Sequence, residues 1–464
     1  MRFSLIVILV FFVSLTNAQQ FFNKNIFGFA TSNTFTFFNV DDIVFQEKVG
    51  QISPRVLRFP GGAVGNFYHF NEPAYGLKLN EIDSLISGKF PKRARGLINF
   101  ARKKGHRDNY IYDFIKLAKS TGASAVLVAN VLTEDIDDII NMINTIQEND
   151  INIIGVELGS ELSNKSYYDN GYTIESYIAR AEYISQQIKS DFPKLKIAVV
   201  AAPIIKDKKH RHYLWNKKLS VLDFYDAIIV HSYAKVVKGK DQYGQMIDEK
   251  YEGNLSIAFK KYKKRVHEYF NTIYPREIAN YNLIYNNTPI WITEWNLQYS
   301  KKTGNTHLQG LFAANYFLEL ISNPDFKTIE LTTFHNLAGR DFGGSIFQMK
   351  DNRSLTQSTF YPIHLISSFF IEGRHKVINE IDDEVYKYSL INNNNEVVSR
   401  CWINWSDREY KPNLTKNNFS VKSECFSSKL FNLNSEYDAI QYREGNYYPS
   451  SKLILKPYSI TLVK

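Results

Sequence analysis

Between about Asn25 and Asn336, short apolar runs rich in Val and Ile alternate with segments whose apolar residues recur at helical spacing. Eight runs read as strands. They are "IFGFAT" (Ile26 to Thr31), "VLRFPGG" (Val56 to Gly62), "AVLVANV" (Ala125 to Val131), "IIGVELG" (Ile153 to Gly159), "KIAVVAAP" (Lys196 to Pro203), "AIIVHSY" (Ala227 to Tyr233), "PIWITEW" (Pro289 to Trp295) and "TIELTTFH" (Thr328 to His335). Continuous apolar runs of this kind suit parallel strands covered on both faces. Between them, "YIYDFIKLAKSTG" carries a helical period stopped by Gly122. "TIESYIARAEYISQQIKSDF" opens on Thr173, a good N-cap, and "HLQGLFAANYFLELIS" follows the seventh run. Eight such alternations predict an α/β fold, a (β/α)8 TIM barrel over residues 19–343. A doubly wound open sheet is the competitor. It wants a glycine-rich first turn, and "GFATSNT" is not one.

After about Gly343 the helical period fades. Short alternating segments appear instead ("EVYKYSLI", "EVVSRCWINW", "SKLILKPYSITLVK"), punctuated by Asn, Ser and Gly. That pattern predicts a C-terminal antiparallel β-sandwich domain over residues 344–464, closed by the last segment, where Pro457 suits a bulge or an edge. "FQMKDNRSLTQSTFYPIHLISSFF" reads as a crossover, helical in its second half. At the other end, Arg2, the apolar "LIVILVFFV" and the small residues up to Ala18 read as a cleaved secretory signal over residues 1–18. The run is shorter than the ~20 residues a membrane span needs. An exported chain with no membrane span is the expectation.

Composition sharpens this only in places. The formal charge of +9 is clustered in Lys89 to Arg107, Lys206 to Lys218 and Lys260 to Arg265, with a further run from Lys235 to Lys240. Such runs are solvated loop surface or a place for polyanions. Cys401 and Cys425 are the two cysteines, and either a disulfide or two buried thiols fits an exported chain. Seven N-x-[ST] sequons occur, at Asn164, Asn254, Asn286, Asn352, Asn404, Asn413 and Asn418. CxxC, HExxH and phosphate-loop patterns are lacking, so neither a metal nor an organic cofactor is expected.

In a barrel of this type chemistry sits at the C-terminal strand ends. Those ends carry Arg58, Asn130, Glu157 and Glu161, His231 and Tyr233, Glu294 with Trp295 and Asn296, and His335 with Asn336. So many polar groups at the tips of apolar strands would be costly to bury without partners. Two carboxylates on opposite arcs of one ring are the equipment for glycoside hydrolysis, and about 5 Å between them gives retention of configuration.

These segments resemble the clan A retaining glycoside hydrolases. "VELGSEL" is similar to that clan's W-E-L-G-N-E, with Ser160 in the Asn place, and "WITEWNL" to its D-E-W-N. "RFPGGAVGNFYHF" resembles the R-[FY]-P-G-G stretch of the α-L-arabinofuranosidase family, and "VHSY" matches an H-x-Y whose Tyr orients the nucleophile. The resemblance implies Glu161 as general acid/base and Glu294 as nucleophile. It places Arg58, Asn130, Ser160, His231, Tyr233 and Trp295 around the substrate, a carbohydrate and not a nucleic acid. Glu157 is expected to point the other way and to be structural. The clan's Asn binds the sugar 2-hydroxyl, which the shorter Ser160 reaches only with a shift or a water. An α-L-arabinofuranosidase-like activity is the expectation. The alternatives are a heparanase- or β-glucuronidase-like hydrolase of an anionic polysaccharide, suggested by the basic runs, and a carbohydrate-binding pseudoenzyme, suggested by Ser160.

Overall fold

The computed structural model describes residues 23–464, except 238, 241–245, 248–254, 299, 301, 340–343, 352, 371–374, 415–417, 428–429 and 431–439. The expected signal segment, the sequons at Asn254 and Asn352 and the expected domain boundary at Gly343 lie outside the described residues.

Eight parallel strands close into a barrel: β1 (Gly28–Ala30), β2 (Val56–Phe59), β3 (Ser124–Ala129), β4 (Ile153–Leu158), β5 (Lys196–Val200), β6 (Ala227–Ala234), β7 (Ile290–Leu297) and β8 (Ile329–Phe334). Each pairs with its sequence neighbours, and β8 returns to β1 through Gly28 opposite Thr333. All eight apolar runs are therefore barrel strands. They are buried on both faces, which is why they show no polar alternation.

The helices start and stop where their caps stand. Gly122 ends helix Ile111–Thr121 in the left-handed region at φ 68°. Thr173 opens helix Ile174–Asp191, its hydroxyl accepting from the Ser176 N–H at 3.4 Å. Helix His307–Ser322 is buried on nearly every side. It lies between the barrel and a second sheet, so both of its faces are covered.

That second sheet is antiparallel and six-stranded: β9 (Lys376–Asp382), β10 (Val385–Ile391), β11 (Val397–Asn404), β12 (Asn418–Phe426), β13 (Gln441–Pro449) and β14 (Ser459–Val463), in the order β9-β10-β11-β14-β12-β13. One face, with Tyr386, Tyr388, Ile403 and Leu462, joins the barrel core in a single apolar cluster. The other face, with Val385, Trp402 and Val463, is covered by Leu453, Leu455, Tyr410 and Leu414. Among the described residues the second layer over this sheet is thus a loop cover with one Tyr410–Leu455 bridge rather than another extended sheet. Polar contacts bind the sheet to helix His307–Ser322. Asn315 Nδ2 donates to the Tyr388 hydroxyl at 2.9 Å, Tyr388 donates to Glu319 at 2.6 Å, and Trp405 Nε1 donates to Asn315 at 2.8 Å.

The last strand is central rather than an edge, and it starts two residues after Pro457, where a missing N–H costs no ladder bond. The cysteines are free and buried. β14 runs between their strands, so the backbones stand about two strand spacings apart, roughly 9–10 Å, beyond disulfide reach. The expected crossover contains a hairpin, Phe347–Lys350 with Arg353–Thr356, before helix Phe360–Ser367. No helix among the described residues is long and apolar enough to cross a membrane.

Candidate active site

The segment that raises Glu161 above the barrel is shaped by its backbone. Strand β4 ends at Leu158, and Gly159 turns the chain at φ 83°. A Cβ there would lie 2.4 Å from Leu162 Cδ1, so only glycine fits. Buried Asn66 grips the next peptide from both sides: its Oδ1 accepts from Ser160 N–H and its Nδ2 donates to the Ser160 carbonyl, each at 2.7 Å. Glu161 follows at φ 52°, in the left-handed region. A residue with a Cβ pays roughly 1–2 kcal/mol there. The regular strand alternation is broken at Gly159, and this separates Glu157 from Glu161.

Glu157 stays on the strand and faces the barrel interior, which corrects the expectation that it points away. It is fully buried and binds Arg58 through two parallel bonds, Nε to Oε1 at 2.8 Å and Nη2 to Oε2 at 2.7 Å. Thr293 donates to it at 3.1 Å. Its structural role stands. It fixes the guanidinium whose remaining arm, Nη1, donates to Glu294 Oε1 at 3.0 Å. Arg58 is the fork that joins the two carboxylates.

Glu294 projects inward from β7. The β6–β7 register sets His231 opposite Glu294 and Tyr233 opposite Asn296. Tyr233 donates its hydroxyl proton to Glu294 Oε2 at 2.7 Å. His231 Nδ1 lies 3.0 Å from Glu161 Oε1 and 3.6 Å from Glu294 Oε2. His335, from the end of β8, approaches Glu294 Oε2 to 4.0 Å. A ligand atom from each of Glu161, His231 and Glu294 lies within 4.8 Å of the other two. Glu161 is the open member, its side chain 46% exposed against 8% for Glu294. Asn164 Nδ2 donates to its second oxygen at 2.8 Å.

The electrostatics separate the two glutamates. Burial alone would push Glu294 up. The charges of His231, His335 and Arg58 and the Tyr233 hydroxyl outweigh it and hold this carboxyl well below the usual range. Burial holds His335 itself below its ordinary value. Burial works against the charge on His231, yet Glu294 and Glu161 together raise it above 6.5. The Glu161–His231–Glu294 group has the donor types of a metal site. Arg58, whose charge the two carboxylates reinforce against burial, already occupies Glu294, and a divalent cation would meet that guanidinium at close range.

Arg58, Ser160, His231, Tyr233, Glu161 and Glu294 thus converge. Ser160 is buried and its hydroxyl accepts from Arg58 Nη2 at 3.3 Å, so it faces the guanidinium rather than a ligand. Two expected site residues do not join. Asn130 spends its side chain on its own turn: Nδ2 donates to the Tyr68 carbonyl and to Thr133, and Oδ1 accepts from the N–H groups of Leu132 and Thr133. Trp295 alternates outward from Glu294, is fully buried, stacks on Tyr316 at 4.1 Å and donates to Thr332. Trp215 is likewise core, stacked on Tyr177 at 5.0 Å. Asn66, Thr293 and His335 complete the arrangement. Asn66 stands in the connection after "RFPGG", where no period marks it, whereas His335 stands at a strand end.

No family model and no curated protein sequence matches the chain. Its fold nevertheless recurs in solved structures. An α-L-arabinofuranosidase from Thermotoga maritima in complex with arabinose is 13% identical, with a TM-score of 0.62 over 96% of each chain. A family 51 α-L-arabinofuranosidase from Bifidobacterium longum is 10% identical, with a TM-score of 0.64 over 96% of this chain and 98% of that one. A 4-O-α-L-rhamnosyl-β-D-glucuronidase from Fusarium oxysporum is 11% identical, with a TM-score of 0.59 over 97% and 98%. Over nearly its whole length, the chain shares the fold of glycoside hydrolases, an eight-stranded parallel barrel followed by an antiparallel sheet.

Proposed function

We propose that the protein is an exported retaining glycoside hydrolase that cleaves an oligo- or polysaccharide by double displacement. One observation carries this: an oxygen of Glu161 and an oxygen of Glu294 lie within 4.8 Å across a polar site, close to the ~5–5.5 Å of retaining enzymes and short of the ~6.5–9.5 Å that leaves room for a water. Glu294 is ionised and attacks the anomeric carbon. Glu161 gives its proton to the departing glycosidic oxygen, and a glycosyl ester forms on Glu294. Glu161, now a carboxylate, takes a proton from water, whose oxygen displaces Glu294 with a second inversion. His231, 3.0 Å from Glu161, keeps a proton close to the acid between the two steps.

An α-L-arabinofuranoside is the substrate supported by two of the solved structures, and a glucuronide by the third. An activated 2-fluoroglycoside tests the chemistry. The expected result is the mass of one fluorosugar on the peptide containing Glu294 and a first product of unchanged anomeric configuration. Inverted product, or labelling elsewhere, overturns the proposal. Silence toward every aryl glycoside, together with measurable glycan binding, assigns the chain as a pseudoenzyme.

A further inference from the structure

A cavity of about 700 Å³ opens beside the nucleophile. Tyr233, which holds Glu294, and His335, 4.0 Å from it, form its inner wall. Phe37, Leu97 and Phe100 supply an apolar side, and Asn33, Asn336 and Ser345 a polar one. That mixture suits a sugar, whose ring faces are apolar and whose edges are hydroxylated. No carboxylate appears among the described lining residues, and one permanent cation does, Arg93.

Arg93 belongs to helix Phe90–Lys104, in the long connection after β2. Two residues on, Arg95 is paired with Asp83 at 2.6 Å. Arg93 makes no such pair among the described residues, and its charge is felt by His335, which it helps to keep neutral after burial has done most of that work. The charge of Arg58 is taken up by Glu157 and Glu294. When a ligand fills the cavity and expels water, the Arg93 guanidinium loses solvent without a counter-charge among the described lining residues. A neutral sugar leaves that loss uncompensated, whereas an anionic one offsets it with charge-assisted hydrogen bonds.

We infer that Arg93 selects substrates whose sugar, seated against Glu294, carries an anionic group, a carboxylate or a sulfate. This deepens the glycosidase reading and rests on it. The test is a panel of aryl hexuronides, the matching neutral hexosides and their 6-sulfated forms, in both anomeric configurations, with the full chain. The wild type is expected to favour the anionic member of a matched pair in kcat/KM. In R93Q the anionic-to-neutral ratio falls roughly 10- to 100-fold, the worth of hydrogen bonds to a charged group, and R93K recovers part of it. R95Q, changed on the same helix, keeps the wild-type ratio. Which anionic arm is preferred assigns carboxylate or sulfate. A wild-type preference for neutral glycosides, or an R93Q ratio equal to the wild-type ratio, overturns the inference while leaving the hydrolase reading intact. If nothing in this panel and no aryl α-L-arabinofuranoside is cleaved, the hydrolase reading fails, and calorimetry with free glucuronate and glucose decides the binding claim. Glucuronate bound by the wild type and lost in R93Q upholds it, and equal or absent binding overturns it.

Discussion

In the proposed mechanism one hydroxyl, that of Tyr233, carries a measurable part of the chemistry. Its 2.7 Å bond to Glu294 is made in a buried setting and supports the anion. Y233F is expected to lower kcat roughly 10- to 100-fold, the equivalent of ~1.5–3 kcal/mol for a hydrogen bond to a charged group. It should also raise the acid limb of kcat/KM, because the carboxyl loses one of the partners that hold its pKa down. The wild-type acid limb is expected below pH 4.5, the ordinary glutamate value, because Glu294 is held below it. The two groups also act oppositely on stability. Glu294, depressed, stabilises the fold above pH 4.5 and loses that contribution as pH falls through its folded value. His231, raised, contributes below pH 6.5 and loses it as pH rises through its folded value. Residues of this kind are legible in the sequence because strand position and side-chain chemistry agree. Asn130 and Trp295 depart from the expectation for a shared reason: standing at a strand tip does not say which way a side chain turns. A turn captured Asn130, and alternation sent Trp295 into the helix layer.

The connection after β4 works as a unit. Gly159 makes the turn, Asn66 clamps it and Glu161 is delivered by it. N66A removes the donor and acceptor for Ser160 and a donor to Tyr167 at 2.8 Å, all buried. The expected cost is ~1–3 kcal/mol in urea unfolding, and in the proposed hydrolase kcat should fall more than KM rises, because Glu161 is displaced while the cavity walls remain. An equal change in both would mean that Asn66 acts on binding instead. Helices were legible through their caps, Thr173 and Gly122 among them. The hairpin Phe347–Lys350 with Arg353–Thr356 was not, since the alternation in "FQMK" lasts only four residues and "RSLT" carries a single apolar side chain.

At the scale of the molecule, barrel and C-terminal sheet share one apolar cluster, with helix His307–Ser322 between them. A single unfolding transition is expected, with loss of activity and of tertiary signal coinciding in denaturant. Two separate transitions would show that the shared core contributes little. The barrel was legible because its eight strands repeat one pattern; the central place of β14 was not, because nothing in "SITLV" tells which strands lie beside it. The interior also carries acids outside the site. Burial pushes Glu277 up to about 8 against the opposing Lys235 charge and a Ser232 hydrogen bond. The native state then holds a proton that the unfolded chain releases, so this group makes stability fall as pH rises from 4.5 through about 8. E277Q should flatten that decline, gaining little near pH 5 and, at most, about 1.4 kcal/mol for each pH unit above it. Equal stability of both forms at pH 8 would refute this.

The left-handed backbone at Glu161 has a consequence for evolution at this position. In the proposed hydrolase, folding and turnover make opposing demands there: the conformation that aims Glu161 is one a glutamate adopts reluctantly and an asparagine tolerates. A chain carrying E161N is expected to be silent as a catalyst yet to withstand urea at least as well as its parent, by up to ~1 kcal/mol. Drift toward inactive descendants that keep the fold is therefore downhill at this residue, and only selection for turnover keeps a glutamate in it.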